Sequence, residues 1–193
     1  MNKKERIENA TITLLLEKGV SASISEIIQR AGISKGGFYH YYATKQQLLK
    51  ESIQHYFDDR WHLLEKITHS DQPYFTKIES LIEALFDPYK KASKQMSHQK
   101  ANYLSLLNEY VKISELKDNY KQFHLAVKET IEDILTKNED KFLIADQQSF
   151  SNASNQILYL TEGILFNSVI NDIDDVIRRC KAEVREYLKL ISK

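Results

Sequence analysis

The chain has 193 residues, 27 of them basic and 27 acidic, so its formal charge is zero, and 42% of them are apolar. That length carries one sizeable core, or a small domain joined to a larger one. Cys180 is the sole cysteine, which excludes an intramolecular disulfide. No apolar run is long enough to span a bilayer, and no signal peptide is visible behind the charged N-terminus, so a soluble cytoplasmic protein without a membrane partner is expected. The charge is unevenly spread: up to Phe57 eight basic residues stand against five acidic ones, leaving that part three units positive and the remainder equally negative. A basic head on an acidic body suits a polyanion at one end.

In chain order, Ile7, Ala10, Leu14 and Leu15 recur at helical spacing and predict a first helix over Lys3–Lys18, stopped by Gly19. Ile24, Ile27, Ile28 and Ala31 predict a short second helix over residues 25–31. Ser23 or Ser25 can cap it, because a hydroxyl there accepts from an otherwise unpaired N–H. Gly32 then supplies the left-handed backbone of the turn. Ile33 plugs the angle, Ser34 is the next cap, and residues 35–41 are the third helix. Two short helices joined this way form a helix-turn-helix, whose second helix enters the DNA major groove N-terminus first.

The run Ala31-Gly32-Ile33-Ser34-Lys35-Gly36-Gly37-Phe38-Tyr39-His40-Tyr41-Tyr42, followed by Lys45 and Leu48, resembles the signature of TetR-type transcriptional regulators. Their pattern runs A-G-V-S-x-G-x-[LF]-Y-x-[YH]-F-x-[SN]-K-x-x-L. The resemblance covers residues 4–50, and Ile28 and Thr11 depart from it where the family has alanine. Lys35, Gly36 and Gly37 occupy the first turn of the recognition helix. Lys35 can donate to guanine O6 and N7 or to a phosphate. Paired glycines cost a helix about 1 kcal/mol each against alanine; close approach to DNA is one reason to keep them, relief of crowding the other. The resemblance implies that Ser34 belongs to this site, that Tyr39, Tyr41 and Lys45 bind phosphates, and that His40 reaches a base or a phosphate. Phe38 and Tyr42 flank Tyr39 on the expected buried face, which turns Tyr39 outward.

Thr44 caps a long fourth helix with Gln47 at the capping-box position. It carries Leu48, Leu49, Ile53, Tyr56, Phe57, Trp61, Leu64 and Ile67, ends before Pro73, and links head to body. Pro73 and Pro88 each open a helical stretch. Further helices are expected over residues 80–86, 89–96, 98–111 and Ser114–Thr136, with a polar loop over 138–148. The last two run over 150–170 and 174–191, with Asp172, Asp174 and Asp175 at the N-terminus of the final one, where carboxylates are favoured. No strand signal survives. The expected fold is all-α, about nine helices: a three-helix DNA-binding domain at 1–50 and a helical effector-binding and dimerisation domain at 51–193.

By the same resemblance the body holds an effector pocket. Trp61, Tyr103, Tyr110, Phe123, Glu162 and Phe166 are the candidate lining, since a small-molecule site needs an apolar cavity with a few fixed polar groups. For each of them plain bundle core is the alternative. The last two helices carry the apolar stripes expected to dimerise: Leu158, Leu165 and Val169 on one, Cys180, Val184 and Tyr187 on the other. Gly163 serves close helix contact there, or a tight core site. His55, Asp59, His62 and His69 share a face of the fourth helix but match no closed zinc motif, so no metal and no cofactor are expected. Cys180 has basic neighbours but no resolving cysteine. No Gly-rich phosphate loop, HExxH or G-x-S-x-G is present, which speaks against an enzyme. The reading is a homodimeric repressor on a pseudo-palindromic double-stranded DNA operator, released by an unknown small-molecule effector that changes the spacing of the two heads. The alternatives are a DNA-bound adaptor controlled by a protein partner and, less favoured, an enzyme.

Overall fold

The computed structural model describes residues 2–85, 114–171 and 175–193. The helices expected over 89–96 and 98–111, the candidate ligand residues Tyr103 and Tyr110, and Asp172 and Asp174 lie outside the described residues. Eight α-helices are described: α1 Lys3–Lys18, α2 Ile24–Ala31, α3 Lys35–Tyr39, α4 Lys45–Thr68, α5 Tyr74–Leu85, α6 Ser114–Thr136, α7 Gln147–Ile170 and α8 Val176–Ile191. No strand occurs among the described residues; Phe142 and Ser192 form an isolated antiparallel bridge. Residues 2–59 and 114–121 fall in one compact unit, and 60–85, 122–171 and 175–193 in another. The expected boundary at residue 50 therefore falls inside α4, which runs from the first unit into the second.

Helices of 8 and 5 residues are too short to persist on propagation alone, so α2 and α3 depend on their ends and on packing. Each N-terminus is capped by a side chain that its sequence supplies. Asn2 and Glu5 form a capping box on α1, with bonds of 2.9 and 3.0 Å. Ser23 and Glu26 form a second on α2, with bonds of 3.2 and 2.8 Å. Gly32 follows at φ 61°, the left-handed region that a side chain resists, and the Ile33 N–H reaches back to the Ile28 carbonyl at 3.2 Å. The Ser34 hydroxyl accepts from the Gly37 N–H at 3.0 Å. The third helix is shorter than the expected 35–41: the Tyr41 N–H turns to the Phe38 carbonyl, three residues back, at 3.0 Å and the helix tightens out at Tyr39. Behind these elements Ile7, Ala10, Leu14, Ala22, Ile27, Ala31, Phe38, Tyr42 and Leu48 form one buried cluster.

In the second unit α5 starts directly after Pro73, six residues before the expected start at Ser80, and buries Ile78, Leu81, Ile82 and Ala84. Helix α7 packs along α8, and α8 is tied to α5 by ion pairs from Lys181 to Glu83 and from Arg185 to Glu79. The expected polar loop is anchored. Phe142 is buried between Tyr74 and Phe150, with ring centroids 5.4 and 6.3 Å away. The Leu143 N–H meets the Ile191 carbonyl at 2.8 Å. Asp175 stands at the N-cap of α8, where a carboxylate was expected; at φ 59° it makes no cap bond and pairs with Arg178 at 3.3 Å.

Candidate nucleic-acid interface

Helix α3 has two faces because Phe38 and Tyr42, four apart, share one side. Both are fully buried. Their rings lie 6.1 Å apart, and Phe38 meets Tyr39 edge-on at 5.2 Å. Tyr39 itself is 48% exposed, and Lys35, Gly36 and His40 are exposed beside it. Tyr41 and Lys45 are half-buried. A Cβ on Gly36 would meet nothing within 4 Å, so no packing among the described residues calls for glycine there. At Gly37 a Cβ would stand 3.2 Å from the Ser34 hydroxyl, so that glycine keeps the cap in place.

The scaffold under this face is cross-braced by polar side chains. Arg30 clamps Glu17 with two bonds of 2.6 and 2.7 Å. Lys18 meets Glu26 at 2.5 Å. That ammonium first, then the Ser23 N–H and hydroxyl, hold Glu26 down at about 2. Arg6 donates to the Gly32 carbonyl at 3.1 Å, bracing the turn from α1; a Cβ on Gly32 would collide with its guanidinium at 2.7 Å. Sequence reasoning missed Arg6, Glu8 and His55 as parts of this scaffold. Their partners lie 26 to 47 residues away in the chain, beyond any local period.

Four of the expected effector residues, Trp61, Phe123, Glu162 and Phe166, are described. Trp61 and Phe123 meet edge-on at 6.0 Å, with the buried Arg60 guanidinium 5.9 Å over the Phe123 ring. Glu162 is exposed and pairs with His124 at 2.6 Å, and Phe166 is 57% exposed. Leu158, Leu165, Cys180 and Val184, expected at a dimer interface, are buried within the chain's own unit, because α7 and α8 turn those stripes toward each other. They offer no surface to a second copy. Tyr187 is half-buried, and the Val169 side chain lies outside the described residues. A second stripe on α7 that the periodicity did not single out faces outward: Tyr159, Phe166 and Ile170, each more than half exposed, with exposed Gly163 among them. His55 is engaged by Glu8, and among the described residues no three metal-ligating side chains gather.

An all-α chain with an exposed, capped helix-turn-helix at one end defines a DNA-binding class. Residues 7–52 match the family model of bacterial regulatory proteins, tetR family. The HTH-type transcriptional regulator YvdT of Bacillus subtilis is 32% identical over 85 residues, 44% of this chain and 44% of YvdT. The HTH-type transcriptional repressor KstR2 of Rhodococcus jostii is 22% identical over 120 residues, 61% of this chain and 59% of KstR2. The chain thus spans about half the length of the curated relatives it matches. A TetR transcription regulator from Haloarcula marismortui shares the fold, with a TM-score of 0.74 over 99% of this chain and 98% of that one at 17% identity. Over residues 7–52 the chain is therefore similar to the tetR family of bacterial regulatory proteins, and its fold is that of the TetR regulator from Haloarcula marismortui.

Proposed function

We propose that the chain regulates transcription as a homodimeric repressor, binding a pseudo-palindromic double-stranded DNA operator and leaving it when a small molecule binds the helical body. The observation that carries this reading is the divided face of α3: Lys35, Gly36, Tyr39 and His40 outward, Phe38 and Tyr42 fixed behind them. Lys35 is the residue that reads a base edge; Tyr39, Tyr41, His40 and Lys45 set register on the phosphates. Repression is favoured by the likeness to KstR2, whose name is that of a repressor.

The dimer face of this reading is the outward stripe of α7. Glycine inside a helix costs about 1 kcal/mol against alanine. A Cβ at Gly163 would meet nothing within 4 Å, so no packing among the described residues calls for that glycine. A closely approaching helix of a second copy supplies a reason, with Tyr159, Phe166 and Ile170 packing around it. The effector of this reading is met by the Trp61–Phe123 pair. Trp61 and Lys45 share the continuous helix α4, so a ligand that favours one setting of the helix at Trp61 biases what Lys45 can reach.

The test is fluorescence anisotropy on a duplex that the wild-type protein selects from a random library. Log affinity falls with log salt at about −0.9 per phosphate neutralised. Lys45→Ala weakens binding to every sequence and flattens the slope by about one unit per half-site. Binding that ignores salt, or a Lys45→Ala protein indistinguishable from wild type, would refute the assignment.

A further inference from the structure

We propose that Glu8 is a positioning residue for DNA binding, holding the recognition helix in register with α4 through the Tyr42 hydroxyl and the His55 imidazole; this rests on reading the head as a DNA-binding domain. Glu8 sits on α1 and is only 9% exposed. Its Oε1 accepts the Tyr42 hydroxyl at 2.5 Å, and its Oε2 faces His55 Nδ1 at 2.9 Å. Lys4 Nζ lies 3.8 Å from Oε1, is bonded to Glu51 at 3.0 Å, and stands 5.9 Å over the Tyr42 ring. One carboxylate therefore joins three pieces of chain: α1, the exit from α3, and α4.

Stability alone does not account for it. Taking a carboxylate out of water is expensive, and an apolar pair of the same volume is often as stable or more so. The TetR-type pattern has phenylalanine where this chain has Tyr42, so the added hydroxyl and Glu8 meet as a pair that the pattern does not call for. Burial first, and then Glu8, raise the Tyr42 phenol far above its ordinary value, which keeps the hydroxyl a neutral donor. What a directional pair adds over an apolar contact is orientation. The Tyr42 ring lies tilted against Phe38, Phe38 meets Tyr39 edge-on, and Lys45 opens the next helix three residues on. Turning Tyr42 displaces both proposed phosphate contacts, and displacements near 0.5 Å are enough to impair a preorganised site.

The experiment uses the full chain and the wild-type-selected duplex. Tyr42→Phe removes the hydroxyl and leaves the ring; it weakens binding about tenfold, the worth of a bond to a charged group, and lowers the salt slope by about one unit for each phosphate no longer neutralised. Glu8→Gln keeps an acceptor for Tyr42 and binds closer to wild type than Glu8→Leu does. The deciding variant is Glu8→Leu with Tyr42→Phe. Its apolar pair melts at or above the wild-type temperature yet still binds weakly, which a merely structural role does not give. If that stable double variant, or Tyr42→Phe alone, binds with wild-type affinity and slope, the proposal is overturned while the DNA-binding reading stands. If the wild type selects no duplex, both fall.

Discussion

The head and the body bury apolar residues alike but are specified in different ways. The head is made of short helices whose ends are set by Asn2, Ser23, Gly32 and Ser34, and its helices are cross-tied by Arg6, Glu8, Lys18 and Arg30. The described helices of the body run to 12 to 24 residues, and many of their cross-helix contacts are apolar side chains such as Ile78, Leu81, Val127, Ile157 and Val184. Caps and ion pairs fix angles; apolar stripes fix only which sides meet. A surface that must match the spacing of phosphates needs the first kind of specification.

The largest test of that contrast is Phe38→Ala. Truncating this fully buried ring removes about 3–5 kcal/mol, enough to unfold a small head. Circular dichroism and a gel shift on one sample should give abolished DNA binding with most helical signal kept, because the body does not need Phe38. Loss of all helix at one temperature would show that the two regions fold as one.

Next is Phe166→Glu, against Cys180→Ser. The first places a charge on the outward stripe of α7, where the proposed two-fold axis would bring two such charges together, and should weaken the dimer about a hundredfold or more. The second changes a buried atom of the same unit and should leave association intact while lowering the melting temperature. Sedimentation of both variants separates them; a dimer from Phe166→Glu as tight as wild type moves the interface elsewhere.

Removing caps gives a smaller effect. Ser23→Ala costs about 1 kcal/mol on an eight-residue helix and should lower DNA affinity as well as stability. Asp146→Ala removes a cap from the 24-residue α7 and should leave DNA affinity unchanged. Equal losses of binding would remove the distinction drawn between the regions.

The smallest effect is in pH, and its sign differs between the regions. Glu26 is held at about 2, chiefly by Lys18, so its contribution is present above the ordinary carboxylate value and is lost as pH falls through about 2. His124 is held above the ordinary imidazole value, first by its bond to Glu162 and against burial. Its contribution is present below the unfolded value and is lost as pH rises through the raised one. Both pairs are partly solvated, so the shifts in melting temperature are small. His124→Ala should flatten the body's response between neutral and alkaline pH without touching DNA binding.

These differences also explain what could be read from sequence. Ser34, Gly32, the buried pair Phe38 and Tyr42 and the limits of α6 were legible because each is decided within a few residues. The burial of Leu158 and Leu165 within the unit was not legible because α7 carries two apolar stripes, and period alone does not say which one α8 covers. The start of α5 was set six residues too late, at Ser80, although Pro73 marked it. Glu8 looked like an ordinary charge on α1. Its burial follows from Tyr42 and His55, 34 and 47 residues away, and only the unexpected tyrosine hinted at it.

Cys180 has a practical consequence. Its thiol is fully buried beside the Thr161 carbonyl, and burial pushes it up to about 12. The thiolate is the reactive form, so at neutral pH this sulfur is silent toward maleimide and methanethiosulfonate reagents. The wild-type chain is therefore already a background for site-selective labelling. One cysteine in place of exposed Gln29 on α2 would carry the only reactive thiol of each subunit. In a dimer the two labels report directly, as a spin–spin or donor–acceptor distance, how far apart the heads stand with and without a candidate effector.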